Sequence, residues 1–182
     1  MTCPIAAELD QPAPPVEIDK WMAGWMETKS LTTPLYLSRF VEPIYFLIEP
    51  IGWKPDSGKT LKAVTVPKGF VTDLASIPRI FFSLLRPDGE YTYPAIIHDY
   101  LYWMQQGTRK DADQIFKLGM EALEIQPSIV STIYQAVSRF GQSAWASNAE
   151  LKSRGERRIL RRFPNSPATR WAEWKTKRDV FL

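Results

Sequence analysis

The order of hydrophobic and polar positions divides the chain into a strand-like first half and a helical second half. From Leu35 to Trp53 the sequence is rich in Tyr, Phe, Ile, Leu and Val, and Pro43 and Pro50 interrupt this run, so we predict two short strands there. Turn-forming residues at Pro55–Gly58 separate this region from a β-branched stretch over residues 61–67. The pattern predicts a small antiparallel sheet over roughly the first half of the chain.

Helical spacing of apolar residues characterises the second half. We predict a helix over Pro94–Gln106 that ends before Gly107, and a second helix from about Thr108 to Glu124 that opens with a capping box to Asp111. A third helix is predicted to begin at Pro127 and to end at Gly141. Its inward-facing positions are predicted to be Ile129, Val130, Ile133, Tyr134, Val137 and Phe140.

The last part of the chain is also predicted to be helical. A basic helix over residues 148–163, interrupted at Gly155, precedes a final helix that begins near Pro167 and carries Trp171 and Trp174. Strands followed by helices indicate an α+β fold. We therefore expect a small antiparallel sheet in the N-terminal half, packed against a layer of C-terminal helices.

One globular domain with an extension at each end is the predicted organisation. A length of 182 residues with 45% hydrophobic content suits one sizeable core. Residues 1–32 are predicted to form an arm, in which prolines hold Gln11–Val16 extended and a short Trp/Met helix covers residues 19–26. The core is predicted over residues 33–145, and a basic helical extension over residues 146–182.

Positive charge is concentrated at the C-terminal end. Residues 151–182 contain ten Lys or Arg against three Asp or Glu, a net charge of +7, whereas residues 1–150 carry 13 against 17, a net charge of −4. Such a segment attracts nucleic acid, an anionic membrane or an acidic protein face, or it forms only a solvated surface. Its spacing does not separate these alternatives.

Targeting and redox signals are sparse. No run approaches the roughly 18 consecutive apolar residues of a membrane span, so we expect no transmembrane segment. The N-terminus lacks the basic start and apolar core of a signal peptide, which favours a cytoplasmic location unless the protein leaves within an assembly. Cys3 is the single cysteine, which excludes an internal disulfide framework.

A single histidine, His98, limits the chemistry available to this chain. It excludes metal centres and mechanisms that need two histidines. On a helix, His98 shares a face with Asp99 and Tyr102, and an antiparallel second helix brings Asp111 or Asp113 opposite that face. An imidazole beside a carboxylate can act as a general base for water, and Asp99 would be available to an oxygen-ligated cation such as calcium. The alternative is a histidine that only packs within the helix pair.

A second group of polar residues lies in the segment Val66–Arg79. Thr72, Asp73, Ser76 and Arg79 fall between a predicted strand and a proline, where we expect a loop. Loops of this kind often carry substrate-binding residues, and Asp73 would be a second cation ligand. The alternative is that Asp73 and Ser76 cap the turn into the next segment.

These two segments together resemble a known family. Residues 66–79 and 93–102, with the continuation Arg109–Phe116, resemble the bacteriophage and prophage domain-of-unknown-function family 1353, over roughly residues 33–145. The resemblance implies phage or prophage origin, and hence a bacterial host cytoplasm or a virion as the location. It implies no activity.

A more distant similarity concerns the two helices alone. His98–Asp99, Tyr102, and Ala112–Asp113 followed by Phe116 look like the two-helix core of phospholipase A2 enzymes, particularly the bacterial and parvoviral kinds. The similarity implies that His98 is the general base, that Asp99 binds calcium and that Asp113 orients the histidine.

The chain departs from the phospholipase pattern before the histidine helix. Those enzymes also bind calcium through a glycine-rich loop at that place, whereas Arg86–Tyr91 contains one glycine. Either another loop, such as the one around Asp73, replaces it, or the calcium site is absent.

Two functions follow as hypotheses. The first is a calcium-assisted hydrolase of esters in lipid or cell envelope, with His98 as base and Asp113 or Asp111 as its orienting group; it requires that the pair lie within about 6 Å and that a cleft reach the ring. The second is a tail or capsid assembly protein without activity, which contacts other phage proteins or itself through the arm and the basic segment. Nucleic-acid binding by residues 152–178 is a third alternative.

Overall fold

Five short strands precede the helices in the computed structural model, which describes residues 31–56, 60–74 and 91–182. The strands are β1 (Leu37–Arg39), β2 (Tyr45–Leu47), β3 (Ile51–Trp53), β4 (Val64–Val66) and β5 (Val71–Thr72). The region Leu35–Trp53 therefore holds three strands, and the prediction of two is wrong. Each of the two prolines within it separates one strand from the next, because proline donates no hydrogen bond to a ladder.

The strands form two antiparallel sheets. One has the order β1-β2-β5, with Leu37 opposite Leu47 and Phe46 opposite Val71. The other is the hairpin β3-β4, with Ile51 opposite Val66. Antiparallel sheet in the N-terminal half is thus confirmed, although it is divided in two.

Three helices supply the second layer: α1 (Thr92–Met104), α2 (Arg109–Ala122) and α3 (Pro127–Ser153). The predicted capping box of α2 is confirmed, since the side chains of Thr108 and Asp111 each accept the other's backbone N–H. Helix α1 ends at Met104, and Gln105 after it takes the left-handed conformation with φ of 55°, so the predicted end at Gln106, before Gly107, is two residues too late. The α+β fold is confirmed.

Helix α3 continues through Gly141 to Ser153, so the predicted end at Gly141 is wrong. Gly141 is buried where α3 crosses α1, and this close approach is the reason for the glycine. Val130, Ile133 and Val137 face the core as predicted. In contrast, Ile129 and Phe140 are on the solvent side, and Phe140 is 61% exposed.

The chain leaves the helical conformation after Ser153, so the predicted basic helix over residues 148–163 is correct only in its first part. Gly155 has a φ of +87°, which turns the chain back towards the sheet. Residues 158–160 then run beside β5: Val71 N donates to the Arg158 carbonyl, and Leu160 N donates to the Gly69 carbonyl. The final predicted helix is one turn, α4 (Trp171–Trp174), followed by a 3-10 turn at Arg178–Val180.

Two hydrophobic clusters hold these layers together. The larger lies between the three helices and the strands, and it contains Trp53, Ile96 and Phe116. The smaller joins the three-stranded sheet to the C-terminal segment and consists of Phe40, Phe46, Val71, Leu160, Val180 and Phe181. The division into arm, core and extension stays a prediction.

Several predictions fall outside the described residues. These are residues 1–30 of the arm with the Trp/Met helix, the second half of the Pro55–Gly58 turn, Ser76, Arg79 and most of the loop Arg86–Tyr91. Within the described part of the chain, none of the helices has the length and apolar character needed to cross a membrane.

Candidate functional site

Helices α1 and α2 form an antiparallel pair that brings His98 against Asp113. The link between them is short, because α1 ends at Met104 and α2 begins at Arg109. His98 Nε2 lies 2.9 Å from Asp113 Oδ1. Of the two carboxylates predicted as partner, Asp113 contacts the imidazole, whereas Asp111 caps the start of α2.

Two side chains besides His98 fix the Asp113 carboxylate. Tyr102 donates its hydroxyl hydrogen to Oδ1 at 2.6 Å, and Arg109 Nη1 donates to Oδ2 at 2.8 Å. Arg109 also donates to the carbonyls of Val137 and Ser138 on α3, each at 3.1 Å. Both carboxylate oxygens are therefore held, and the orientation of Asp113 is set by two helices besides its own.

His98 is completely buried, with 0% of its surface exposed. Its ring packs against Tyr102 and Phe116, at centroid distances of 4.1 and 4.7 Å. Burial lowers the pKa of His98; Asp113 opposes this effect, and the charge of Arg109 adds to it. The ring is therefore neutral at pH 7, and with Nε2 donating its hydrogen to the carboxylate, the lone pair lies on Nδ1.

Asp99 connects α1 to the loop that follows β5. The Thr72 hydroxyl donates to Asp99 Oδ2 and accepts the N–H of Leu74 at 3.0 Å. Leu74 has a φ of 55°, an uncommon conformation for a residue with a branched side chain. Strain of this kind persists only where surrounding contacts impose it, and the contact between Thr72 and Asp99 is one of them.

A cavity of about 180 Å³ lies beside Asp99. Its polar lining residues are Asp73, Asp99, Ser147, Asn148 and Arg158, and its apolar ones are Ala144 and Leu151. His98 is not among the lining residues. The cavity thus carries both hydrogen-bond donors and acceptors next to the buried histidine.

Residues 47–137, half of the chain, match the family described as "Protein of unknown function (DUF1353)". The chain belongs to this family. No curated protein and no protein of solved structure matches it. The segment shared with the DUF1353 family contains His98, Asp99, Tyr102 and Asp113, whereas the residues of α3 after Val137 and the C-terminal segment lie outside it.

The predicted calcium ligands do not form a convincing calcium site. Asp73 and Asp99 line the same cavity, but the guanidinium of Arg158 lines it too, and Asp99 Oδ2 already accepts the Thr72 hydroxyl. Calcium takes six to eight oxygen ligands, and among the described residues no three acidic, His or Cys side chains group together.

Sequence reasoning missed Arg109 and Arg158, besides Ser147 and Asn148 of the cavity. Arg109 carries a signal, because it precedes Asp113 by four positions on one helix and such pairs meet on the helix surface. Arg158 carries none, because it reaches the cavity only through the return of the chain from Gly155 to β5.

Proposed function

We propose that this chain is a hydrolase that cleaves an ester bond in a lipid or cell-envelope substrate, with His98 as the general base. The observation that carries the proposal is the 2.9 Å contact between His98 and Asp113, whose carboxylate is fixed by Tyr102 and Arg109. A general base needs an imidazole with one nitrogen held by an orienting group and the other carrying a lone pair. The neutral His98 meets both conditions.

The proposed reaction begins when Nδ1 of His98 takes a proton from water. The water oxygen attacks the carbonyl carbon of the ester, while Asp113 stabilises the imidazolium through its contact with Nε2. The tetrahedral intermediate then breaks its bond to the alkoxide, which receives the proton from Nδ1. Arg158, Ser147 and Asn148 offer hydrogen-bond donors to the negative oxygen from the neighbouring cavity.

Complete burial of His98 makes an opening step part of this proposal. The contact distance meets the first of the two requirements stated for a hydrolase, but the second, a cleft that reaches the ring, is not met in this conformation. The ring has no exposed surface, so the residues that cover it must move before substrate reaches Nδ1. We expect entry from the side of Asp99, which follows His98 in the chain and lines the cavity. Local movements that open a buried site commonly control access to enzyme active sites.

The origin of the protein is part of the proposal as well. We propose that the chain comes from a phage or prophage and acts in the bacterial host cytoplasm or in the virion, as its family resemblance implies. The contacts of His98 and Tyr102 with Asp113 support a relation to the two-helix core of phospholipase A2.

Turnover of a panel of p-nitrophenyl esters and phospholipid vesicles, with and without calcium, tests the proposal. We expect His98→Gln and Asp113→Asn to lower turnover by about 10²- to 10⁴-fold, as for other general-base pairs. Asp111→Asn is the matched control, since this carboxylate lies on the same helix but caps its start. Folded His98→Gln protein with unchanged turnover, or wild type inactive on every ester, would overturn the proposal.

A structural virion component is the second candidate function, and complete burial of His98 favours it. Here the hydrogen bonds around Asp113 only fasten three helices together. We propose that such a protein contacts other tail or capsid proteins, or itself, through its arm and its basic segment. Mass spectrometry of purified phage particles tests this function, because a structural component must be present in the particles and a cytoplasmic enzyme need not be.

A further inference from the structure

An open groove of about 590 Å³ lies where the chain turns after α3. Arg154, Arg157, Lys175 and Arg178 line it, together with the apolar side chains of Leu151 and Phe181. All four basic residues are exposed. The groove is formed by the end of α3 and the C-terminal segment, outside the part of the chain shared with the family, and it shares Leu151 with the cavity beside Asp99.

Most cations of the C-terminal segment have a partner within the protein. Arg154 pairs with Glu150, Arg158 with Glu156, and Arg162 with Asp179. Lys152 donates to the carbonyls of Trp103 and Met104, and Arg161 donates to the Asp179 carbonyl. Lys177 lies over the Trp174 ring, and Arg170 is close enough to Glu42 to help lower the pKa of that carboxyl.

Three cations remain: Arg157, Lys175 and Arg178. None of them has an ion pair or side-chain hydrogen bond with any residue in the described ranges. All three line the same groove. Glu156 also lines it, but its carboxylate accepts from Arg158 at 3.1 Å and so is already engaged. Three positive charges therefore face one concave surface without a partner among residues 31–56, 60–74 and 91–182.

We infer that this groove binds a small compound with several phosphate groups. Two guanidinium groups and one ammonium group suit phosphate oxygens, because arginine donates in pairs and lysine supplies a compact charge. Leu151 and Phe181 offer an apolar side for an organic portion of the ligand. The inference does not rest on the proposed hydrolase.

A small ligand fits this distribution of charge better than a nucleic-acid backbone. A polymer that tracks along the surface needs cations spread over many ångströms, and the cations of the C-terminal segment outside the groove are held by Glu156, Asp179, Glu42, Trp174 or backbone carbonyls. The groove volume lies in the range of small-molecule sites. The positive charges of the groove thus complement a ligand that is small enough to enter one concave site.

Isothermal titration calorimetry of the full chain with tripolyphosphate tests the inference. We expect saturable binding with one ligand per chain, and we expect Arg157→Gln, Lys175→Gln and Arg178→Gln each to weaken it by roughly tenfold, as for loss of one charge-assisted hydrogen bond. The control replaces three exposed lysines elsewhere, Lys54, Lys62 and Lys110, with Gln in one variant, which removes three times the charge that any single groove variant removes. This control should bind tripolyphosphate nearly as the wild type does.

Two further ligands separate the alternatives. Duplex DNA and vesicles of phosphatidylcholine with phosphatidylglycerol are titrated at the same ionic strength, and melting curves verify that each variant is folded. The inference is overturned if tripolyphosphate fails to saturate, if the control variant loses as much affinity as the groove variants, or if only DNA or vesicles bind.

Discussion

Burial decides the protonation of His98. The Asp113 carboxylate alone would favour an imidazolium, but Arg109 offsets that charge, and the ring has no contact with water. The pKa of His98 in the folded protein therefore lies below its ordinary value of 6.5. In the unfolded chain the same ring is solvated and binds its proton normally, so the two states differ in proton affinity at this residue.

We predict that the protein loses stability as the pH falls below about 6.5. Between that value and the lower pKa of folded His98, the unfolded chain binds more protons than the folded one, so the free energy of unfolding rises with pH. The slope is at most about 1.4 kcal/mol per pH unit for one group. Urea denaturation at intervals from pH 7.5 to 5.5 measures it.

The chain allows a clean control for this prediction, since His98 is its only histidine. His98→Asn contains no group with an ordinary pKa near 6.5 among its side chains, and its free energy of unfolding should vary little over the same range. An equally steep slope in the variant would assign the pH dependence to other groups and would contradict a neutral, buried His98.

At the scale of elements, the crossing of α1 and α3 is fixed by one glycine and one tyrosine. A methyl group added at Gly141 would lie 2.3 Å from the Tyr102 hydroxyl oxygen and 3.3 Å from Arg109 Nη1. These are the two residues that hold Asp113. The separation of the two helices and the orientation of the carboxylate beside His98 therefore depend on the same contact.

Gly141→Ala is predicted to destabilise the protein by about 1–3 kcal/mol, the usual cost of overpacking. The direction of this change in stability is informative, because alanine in place of glycine within a helix ordinarily stabilises the protein by up to about 1 kcal/mol. In a Tyr102→Phe background the clashing oxygen is gone, and the cost should shrink. A double-mutant cycle of denaturation free energies measures this coupling, and additive effects would contradict the contact.

How much of these elements could be predicted depends on whether the cause is local. The capping box at Thr108 and the approach of His98 to Asp113 follow from spacings within one helix or one short helix pair. The predicted end of α3 at Gly141 was wrong, because a glycine required by a distant tyrosine has the same sequence signature as a C-terminal cap. Arg158 gave no signal, since its place depends on strand pairing across the molecule.

At the scale of the whole molecule, the C-terminal segment completes the three-stranded sheet. Residues 158–160 lie along the edge of β5 that β2 leaves unpaired. Gly69, which has a φ of +83°, lies beside this segment, and its carbonyl accepts the N–H of Leu160. Leu160 then bridges to Phe181, which closes the smaller hydrophobic cluster. The same fold-back positions Arg158 at the cavity beside Asp99 and forms the basic groove.

Because this segment is part of the core, we predict that Leu160→Ala lowers the free energy of unfolding by about 2–5 kcal/mol, as for other buried leucines. Leu160 is 2% exposed and belongs to the same cluster as Phe40, which follows β1, and Phe46 on β2, so truncation leaves a cavity that the sheet cannot easily fill. Leu182→Ala is the matched control: it removes the same atoms from a side chain that is 69% exposed, and its cost should stay within about 0.5 kcal/mol. Guanidinium denaturation monitored by tryptophan fluorescence measures both. Equal, small effects would mean that the segment is an appendage of a core that folds without it, whereas the predicted difference makes it part of that core.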